Sequence, residues 1–184
     1  MALTATIYRV EVTLSDVDRG VYETLDLRLA RHPSESARFL MTRLLGYCLS
    51  YEEGIAFSKG GISSVDEAPI AVHDPTGILL AWIDVGSPSA ERLHKASKAA
   101  RKVELYTHAD LGQLRREAAS RPIHKLEAID VWRFEPSFLD ALEAQLDRNT
   151  KLELARNDGQ LYVTVNGKVI EGEATKASLV GEQE

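Results

Sequence analysis

The chain has 184 residues, 44% of them hydrophobic and 27% charged, which is typical of one globular domain with a full core. Its formal net charge of −6 argues against indiscriminate binding to nucleic acid, although it leaves room for a local basic groove. The single cysteine, Cys48, excludes an internal disulfide and a cysteine-based zinc site.

The first residues, MALTATIYRVEV, alternate like a strand and lack the basic and apolar regions of a signal peptide. No segment approaches the roughly 20 apolar residues that a membrane-spanning helix needs. We therefore expect a cytoplasmic protein with no membrane partner.

The N-terminal part of the chain reads as a hairpin followed by a helix. Residues 4–14 and 22–30 alternate between apolar and polar side chains, and the turn cluster SDVDRG lies between them, so we predict an antiparallel hairpin. A helix is predicted over residues 33–52, with Ser34 as its N-cap and Gly54 after its end. Cys48 falls on the apolar face of this helix, which favours core packing over a role as a nucleophile.

Strands and helices then alternate. After the loop FSKGGISSVDEAP, the strands APIAVH and ILLAWIDVG form a second hairpin through DPTG. Helices are predicted at SPSAERLHKASKAARK, ADLGQLRREAA and PSFLDALEAQLD, and strands at VELYT, LEAIDVWRF, KLELA and LYVTV, with a last hairpin at VNGK. This order predicts one α/β domain over residues 1–175, with a mixed central β-sheet flanked by helices, and a flexible tail over residues 176–184.

One carboxylate stands out in the strand ILLAWIDVG. Both faces of this strand are apolar, so it is predicted to be buried on both sides, yet Asp84 lies near its end. Burying an unpaired charge costs on the order of several kcal/mol. We therefore expect a compensating group beside Asp84.

A divalent metal is one such group. Asp66 and Glu67 precede the first strand of the hairpin, so its pairing brings them near Asp84, and carboxylates are the ligands that Mg²⁺ and Mn²⁺ prefer. The alternative is that Asp66 and Glu67 are solvated loop charges and Asp84 caps the next helix. Spacing alone does not choose between the two.

The helix after Asp84 is basic on its solvent side, with Arg92, Lys95, Lys98 and Lys102 opposite an apolar stripe. A solvated face explains this pattern by itself. However, long side chains lean toward the N-terminus of their helix, so Arg92 or Lys95 could reach back to the carboxylates. In the first helix Glu35, preceded by Arg31, suits the positive end of the helix dipole.

These motifs resemble those of the YaeQ family. The resemblance rests on RHPSE at the start of the long helix, VDE before the hairpin, a strand ending in WIDVG, and the spacing P-x-x-x-R-x-x-K from Pro88 to Lys95. The opening MALTATIYRVEVTLSDVDRGVYE resembles the family as well, so the similarity covers nearly the whole chain.

That family is similar in fold to the PD-(D/E)XK nucleases, whose core runs αβββαβ. The resemblance implies such a core with added hairpins, with Asp66 or Glu67 as the first acidic position and Asp84 as the second. The lysine of the motif belongs two residues after the second acid, where this chain has Gly86. Lys95 from the next helix, or else Arg92, would have to replace it.

The first functional interpretation is a metal-dependent phosphodiesterase or nuclease. Mg²⁺ or Mn²⁺, held by Asp84 and by Asp66 or Glu67, would activate a water molecule, and Lys95 would stabilise the developing negative charge. Glu35 would position a second metal or water. The nucleic acid would lie along Arg92, Lys98, Lys102 and Arg31.

The second interpretation is a non-catalytic regulatory module that keeps the nuclease fold and binds nucleic acid or a protein. Asp84 and Lys95 would then form a structural ion pair. The two interpretations predict different effects of Asp84→Asn. At a metal site the change leaves the metal-free protein nearly as stable, whereas breaking a buried pair costs about 3–5 kcal/mol.

Overall fold

The computed structural model describes residues 4–59 and 65–181. Part of the glycine- and serine-rich loop, residues 60–64, lies outside the described residues, as do residues 182–184. Contacts group the described residues into two compact units, one of residues 4–51 and 134–175 and one of residues 52–59, 65–133 and 176–181. The assignment of the whole chain to one domain stays a prediction.

The described residues form β-strands and α-helices, with a short 3-10 helix at Leu126–Ala128. In chain order they are β1 (Thr6–Asp16), β2 (Val21–Arg31), α1 (Ala37–Leu49), β3 (Ile55–Phe57), β4 (Ile70–His73), β5 (Leu79–Val85), α2 (Ala90–Ala99), β6 (Lys102–Thr107), α3 (Leu111–Ala119), β7 (Asp130–Arg133), α4 (Pro136–Glu143), β8 (Asn149–Asn157), β9 (Gln160–Val165), β10 (Lys168–Glu173) and β11 (Thr175–Ala177).

The first unit contains a five-stranded sheet in the order β10-β9-β8-β1-β2. The predicted hairpins of β1 with β2 and of β9 with β10 are confirmed, and β8 and β9 also pair antiparallel. Asn166 and Gly167, with φ of 51° and 73°, form the two-residue turn before β10, as an Asn-Gly pair between strands favours. β1 and β8 pair in parallel, although about 140 residues separate them.

Helix α1 is shorter than predicted, and its N-cap is Ser36 rather than Ser34. The Ser36 hydroxyl accepts a hydrogen bond of 3.1 Å from the amide of Phe39. The hydroxyl of Ser34 is instead 2.6 Å from Nδ1 of His32, so it is not available to the helix. Residues 40–49 are all buried, Cys48 among them, which agrees with core packing for that residue.

The second unit contains a six-stranded sheet in the order β11-β7-β6-β5-β4-β3. β3, β4 and β5 pair antiparallel, and β5, β6 and β7 pair in parallel through the connections that carry α2 and α3. Its core joins the sheet to both helices: Trp82, Leu93, Ala96, Val103, Leu105, Leu114, Ala118, Ile129, Val131 and Leu179.

The fold is therefore α/β with mixed pairing, as predicted, but the single central sheet is corrected to two sheets. The flexible tail expected over residues 176–184 stays a prediction; within the described residues, Thr175–Ala177 form β11 and Leu179 is only 3% exposed. Leu179 packs into the core of the second unit. Within the described residues, no helix has the length and apolar character needed to cross a membrane.

Candidate ion-pair site at Asp84

Asp84 occupies an inner strand of the second unit's sheet, as the sequence predicts. β5 lies between β4 and β6, and its residues from Ala81 to Val85 are buried. Trp82 is 3% exposed and Asp84 is 2% exposed. Both therefore lie in the interior, where a carboxylate needs partners for its charge and its lone pairs.

Three donors surround the Asp84 carboxylate. The indole Nε1 of Trp82 donates to Oδ2 at 3.1 Å, and the amide of Val85 donates to Oδ1 at 3.0 Å. Nε of Arg92 donates to Oδ2 at 2.7 Å, which is a charge-assisted bond. The group that compensates the buried charge is thus an arginine, one of the two cations that the sequence left open.

Arg92 also binds the segment that precedes the hairpin. Its Nη1 donates to the carbonyl of Val65 at 3.2 Å and its Nη2 to the carbonyl of Glu67 at 2.9 Å. Its guanidinium carbon lies 5.4 Å from the centre of the Trp82 ring. One guanidinium in the first turn of α2 therefore connects the end of β5 with residues 65–67.

Lys95 does not take the place of the motif lysine beside Asp84. Its ammonium forms a salt bridge with Asp66, and both side chains are largely exposed, at 49% and 75%. The hydrogen bond and the charge of Lys95 lower the pKa of Asp66. Glu67 accepts a hydrogen bond of 2.6 Å from the hydroxyl of Ser58. Asp66 and Glu67 are thus near the Arg92 guanidinium, as the hairpin geometry predicts, but they have other side-chain partners.

Position 86 cannot easily carry the motif lysine. Gly86 adopts φ +88°, in the left-handed region that favours glycine, and its amide donates to the carbonyl of Tyr106 at 2.9 Å. The backbone at this point turns from β5 toward the start of α2. The conformation therefore explains the glycine without reference to catalysis.

Lys98 and Lys102 lie on different elements. Lys98 is exposed in the last turn of α2, while Lys102 is the first residue of β6 rather than part of the helix. Nζ of Lys102 lies 2.7 Å from Glu104 and 3.9 Å from Asp130. Lys102 is therefore placed by β6 rather than by the basic face of α2 on which the sequence put it.

Glu35 and Arg31 belong to the first unit. The guanidinium of Arg43 contacts both carboxylate oxygens of Glu35, at 3.1 Å and 3.2 Å, and the amide of His32 donates to the same carboxylate at 3.2 Å. Burial raises the pKa of Glu35, and the charge of Arg43 opposes the shift without overcoming it. Arg31 donates from Nε to the main-chain carbonyl of Glu35 at 3.1 Å. These contacts describe a buried ion pair at the start of α1.

Among the described residues near Asp84, the carboxylates are engaged by protein donors and are not grouped as a Mg²⁺ or Mn²⁺ centre. Both oxygens of Asp84 already accept hydrogen bonds, one of them from a cation. Among residues 4–59 and 65–181, no group of three or more His, Cys, Asp and Glu side chains could hold a metal ion. The arrangement instead satisfies a buried anion with protein donors.

A second cluster of buried charged residues was not predicted from the sequence. Asp16 is fully buried and accepts hydrogen bonds from Arg156 at 3.0 Å and 2.6 Å and from Arg19 at 2.8 Å. A signal was present in the sequence, since Asp16 continues the phase of the apolar face that includes Val12 and Leu14. An acid on the core side of a strand predicts a buried cation.

Comparisons with known proteins point to one family. A family described as YaeQ protein matches residues 1–174. Uncharacterised YaeQ proteins of Escherichia coli K12 and Salmonella typhi are 31% and 32% identical over 165 and 166 residues, covering 89% of this chain and 91% of each relative.

Two solved structures have a similar fold. The YaeQ protein from Pseudomonas syringae gives a TM-score of 0.83 at 30% identity, over 97% of both chains. The YaeQ protein from Xanthomonas axonopodis pv. citri gives a TM-score of 0.86 at 28% identity, over 95% of this chain and 99% of that one.

Proposed function

The chain belongs to the YaeQ family, and from this premise we propose that it is a non-catalytic nucleic-acid-binding module that retains a nuclease-like order of elements. The observation that carries the proposal is the salt bridge between Arg92 and Asp84. It gives the second acidic position of the expected nuclease motif a structural partner.

The order of elements supports the nuclease-like ancestry of the module. From α1 to β6 the chain runs helix, three strands, helix and strand, which is the order that the PD-(D/E)XK resemblance implies. Asp66 and Glu67 come shortly before β4, and Asp84 is near the end of β5, where the two acidic positions of such a core belong.

The contacts of the carboxylates favour binding over metal-dependent cleavage. A metal held at Asp84 would compete for this carboxylate with the guanidinium of Arg92, which also binds two main-chain carbonyls. Removing Arg92 from Asp84 would leave this buried carboxylate without its charged donor, which is costly. The Arg92 guanidinium is therefore better explained as a link between α2, β5 and residues 65–67.

Charge in one segment of the second unit, residues 90–125, favours nucleic acid as the ligand. Residues 90–125 contain nine Lys or Arg against four Asp or Glu, in a chain whose net charge is −6. Such a local excess attracts phosphates although the whole protein is acidic. The exposed cations of this segment are Lys95, Lys98, Arg101, Lys102, Arg116, Arg121 and Lys125. Contacts to phosphates from these side chains would bind without reading sequence.

The proposal is tested by fluorescence anisotropy with labelled single-stranded DNA, duplex DNA and RNA over a range of salt concentrations. We expect binding that weakens with salt, and Lys98→Gln and Arg101→Gln should each reduce the slope of log K against log salt by about 1. Lys151→Gln, an exposed lysine of the first unit, is the matched control and should leave the slope unchanged.

Two outcomes would overturn the proposal. The first is the absence of binding even at low salt. The second is Mg²⁺- or Mn²⁺-dependent cleavage of the same probes that disappears in Asp84→Asn, which would support the nuclease instead.

A further inference from the structure

Strand β10 forms one edge of the sheet in the first unit, and β9 is its neighbour in that sheet. Because a two-residue turn joins these strands, Val165 and Lys168 exchange hydrogen bonds, and pairing then alternates along the hairpin. The amide and carbonyl groups of Lys168, Ile170 and Gly172 therefore point toward β9. The backbone amide and carbonyl groups of Val169, Glu171 and Glu173 point away from the sheet.

Beside this edge lies an open cleft of about 410 Å³ between β10 and the start of α4. Phe138, Ala141 and Ile170 give it an apolar floor. Gly172 allows the close approach of the helix, since a Cβ at that position would lie 2.4 Å from Cδ2 of Phe138. The cleft therefore joins a strand edge to an apolar floor, the combination that receives extended peptides by strand addition.

The charged residues that line the cleft are all acidic. Glu135, Glu171 and Glu173 are all exposed, and none of the described residues that line the cleft is basic. Since successive residues of a strand point to opposite faces, Ile170 and Gly172 face α4, whereas Glu171 and Glu173 project to the other face. An added strand would thus meet apolar groups and Glu135 on the α4 side, and the carboxylates of Glu171 and Glu173 on the other.

We propose that this cleft is a docking site for an extended segment of a partner protein in which apolar and basic residues alternate. The segment adds to the sheet beside β10 through the outward backbone groups of Val169, Glu171 and Glu173. Its apolar side chains cover Phe138 and Ile170, and its lysines or arginines pair with the glutamates. The inference is independent of the proposed nucleic-acid binding, which rests on residues of the second unit.

The test uses the full chain and a fluorescein-labelled, capped peptide of alternating lysine and valine, with a glutamate–valine peptide as the control. We expect only the basic peptide to bind. Its binding should slow amide exchange at Val169, Glu171 and Glu173 but leave the already paired Ile170 and Gly172 amides unchanged.

Charge reversal separates this cleft from general attraction to an acidic protein. The double change Glu171→Lys with Glu173→Lys should weaken binding by about tenfold or more. Glu11→Lys with Glu23→Lys makes the same total change of charge on β1 and β2, away from β10 in the same sheet, and should leave affinity within about twofold. Equal weakening by the two variants would overturn the proposal.

A backbone test covers the case in which the charge variants fail to fold. A peptide N-methylated on alternate residues should lose binding in one register and keep it in the other, because only one set of amides faces β10. No binding of the basic peptide, or equal binding in both registers, contradicts the proposal. Association of the protein with itself through β10 would do so as well, since it would make a second copy the occupant.

Discussion

Nε of Arg92 lies 2.7 Å from Oδ2 of Asp84 and holds the first turn of α2 against the end of β5. Asp84→Asn leaves this guanidinium, only 19% exposed, without its counter-charge. We expect a loss of about 3 kcal/mol in the free energy of unfolding, at the lower end for a buried pair because Arg92 keeps some contact with water. Urea unfolding of the metal-free protein measures it.

The matched control for that change is Asp66→Asn. The salt bridge of Asp66 with Lys95 is exposed on both sides, so its removal should leave the urea midpoint unchanged. A metal site would give another pattern: Asp84→Asn as stable as the wild type, and Mg²⁺ or Mn²⁺ stabilising the wild type alone.

A second prediction concerns acid stability. Burial by itself would raise the pKa of Asp16, but hydrogen bonds and charges from Arg156 and Arg19 outweigh it and hold that pKa below its usual value. The unfolded chain therefore takes up this proton first as pH falls, and the stabilisation is lost below about pH 4. The stability difference between the wild type and Asp16→Asn should be largest near neutral pH and should shrink in that acid range.

Urea unfolding of both proteins from pH 2 to pH 7 checks this. Asp26→Asn is the control, because Asp26 is exposed and lies 3.8 Å from Arg9 on the surface of the same sheet. Its stability difference from the wild type should stay small at every pH. If the stability difference between the wild type and Asp16→Asn is constant down to pH 2, the lowered pKa of Asp16 is contradicted.

A third prediction compares two glycines with nearly the same backbone. Gly54 has φ +92° and Gly77 has φ +90°, so alanine is strained at both, by about 1–3 kcal/mol. Only at Gly54 would the new Cβ meet the main chain, 2.2 Å from the carbonyl oxygen of His73, while at Gly77 it meets nothing within 4 Å. Gly54→Ala should therefore lose clearly more stability in thermal melts, and equal losses would refute the clash.

A fourth prediction uses Cys48 as a reporter of the first unit. The thiol is buried, and burial raises its pKa to about 12, so both access and thiolate formation are suppressed in the folded protein. We expect iodoacetamide at pH 8 to modify the native protein very slowly and the urea-unfolded protein quickly. Mass spectrometry measures the modification, and a fast reaction of the native thiol would show that α1 is not packed as described.

The local sequence pattern predicted the helices and strands well, but it predicted the arrangement of the strands in sheets less well. The hairpins were predictable because alternation and turn pairs such as Asn166-Gly167 act over short distances. The division of the strands between two sheets was not, since the alternation in β1 says nothing about whether β8 or another strand lies beside it. The first residue of β7 was also misplaced, because Leu126–Ala128 forms a 3-10 helix where a strand was expected.

The candidate site shows the same limit. The burial of Asp84 followed from the two apolar faces of its strand, and the cation followed from the direction of side chains on α2. The choice between Arg92 and Lys95 depended on which carboxylate each one reaches, and this is set by the path of residues 65–67. Sequence spacing contains no information about that path.

The parallel pairing of β1 with β8 has a consequence for synthesis on the ribosome. Arg156 follows Asp16 by 140 residues, so at about 5–20 residues per second the nascent β1–β2 hairpin waits on the order of ten seconds for β8 to emerge. During that time the apolar face of the hairpin and the carboxylate of Asp16 have neither their neighbouring strand nor their main counter-ion. β3 to β7 are translated within the same interval, so the second unit gathers most of its strands before the first can close its sheet.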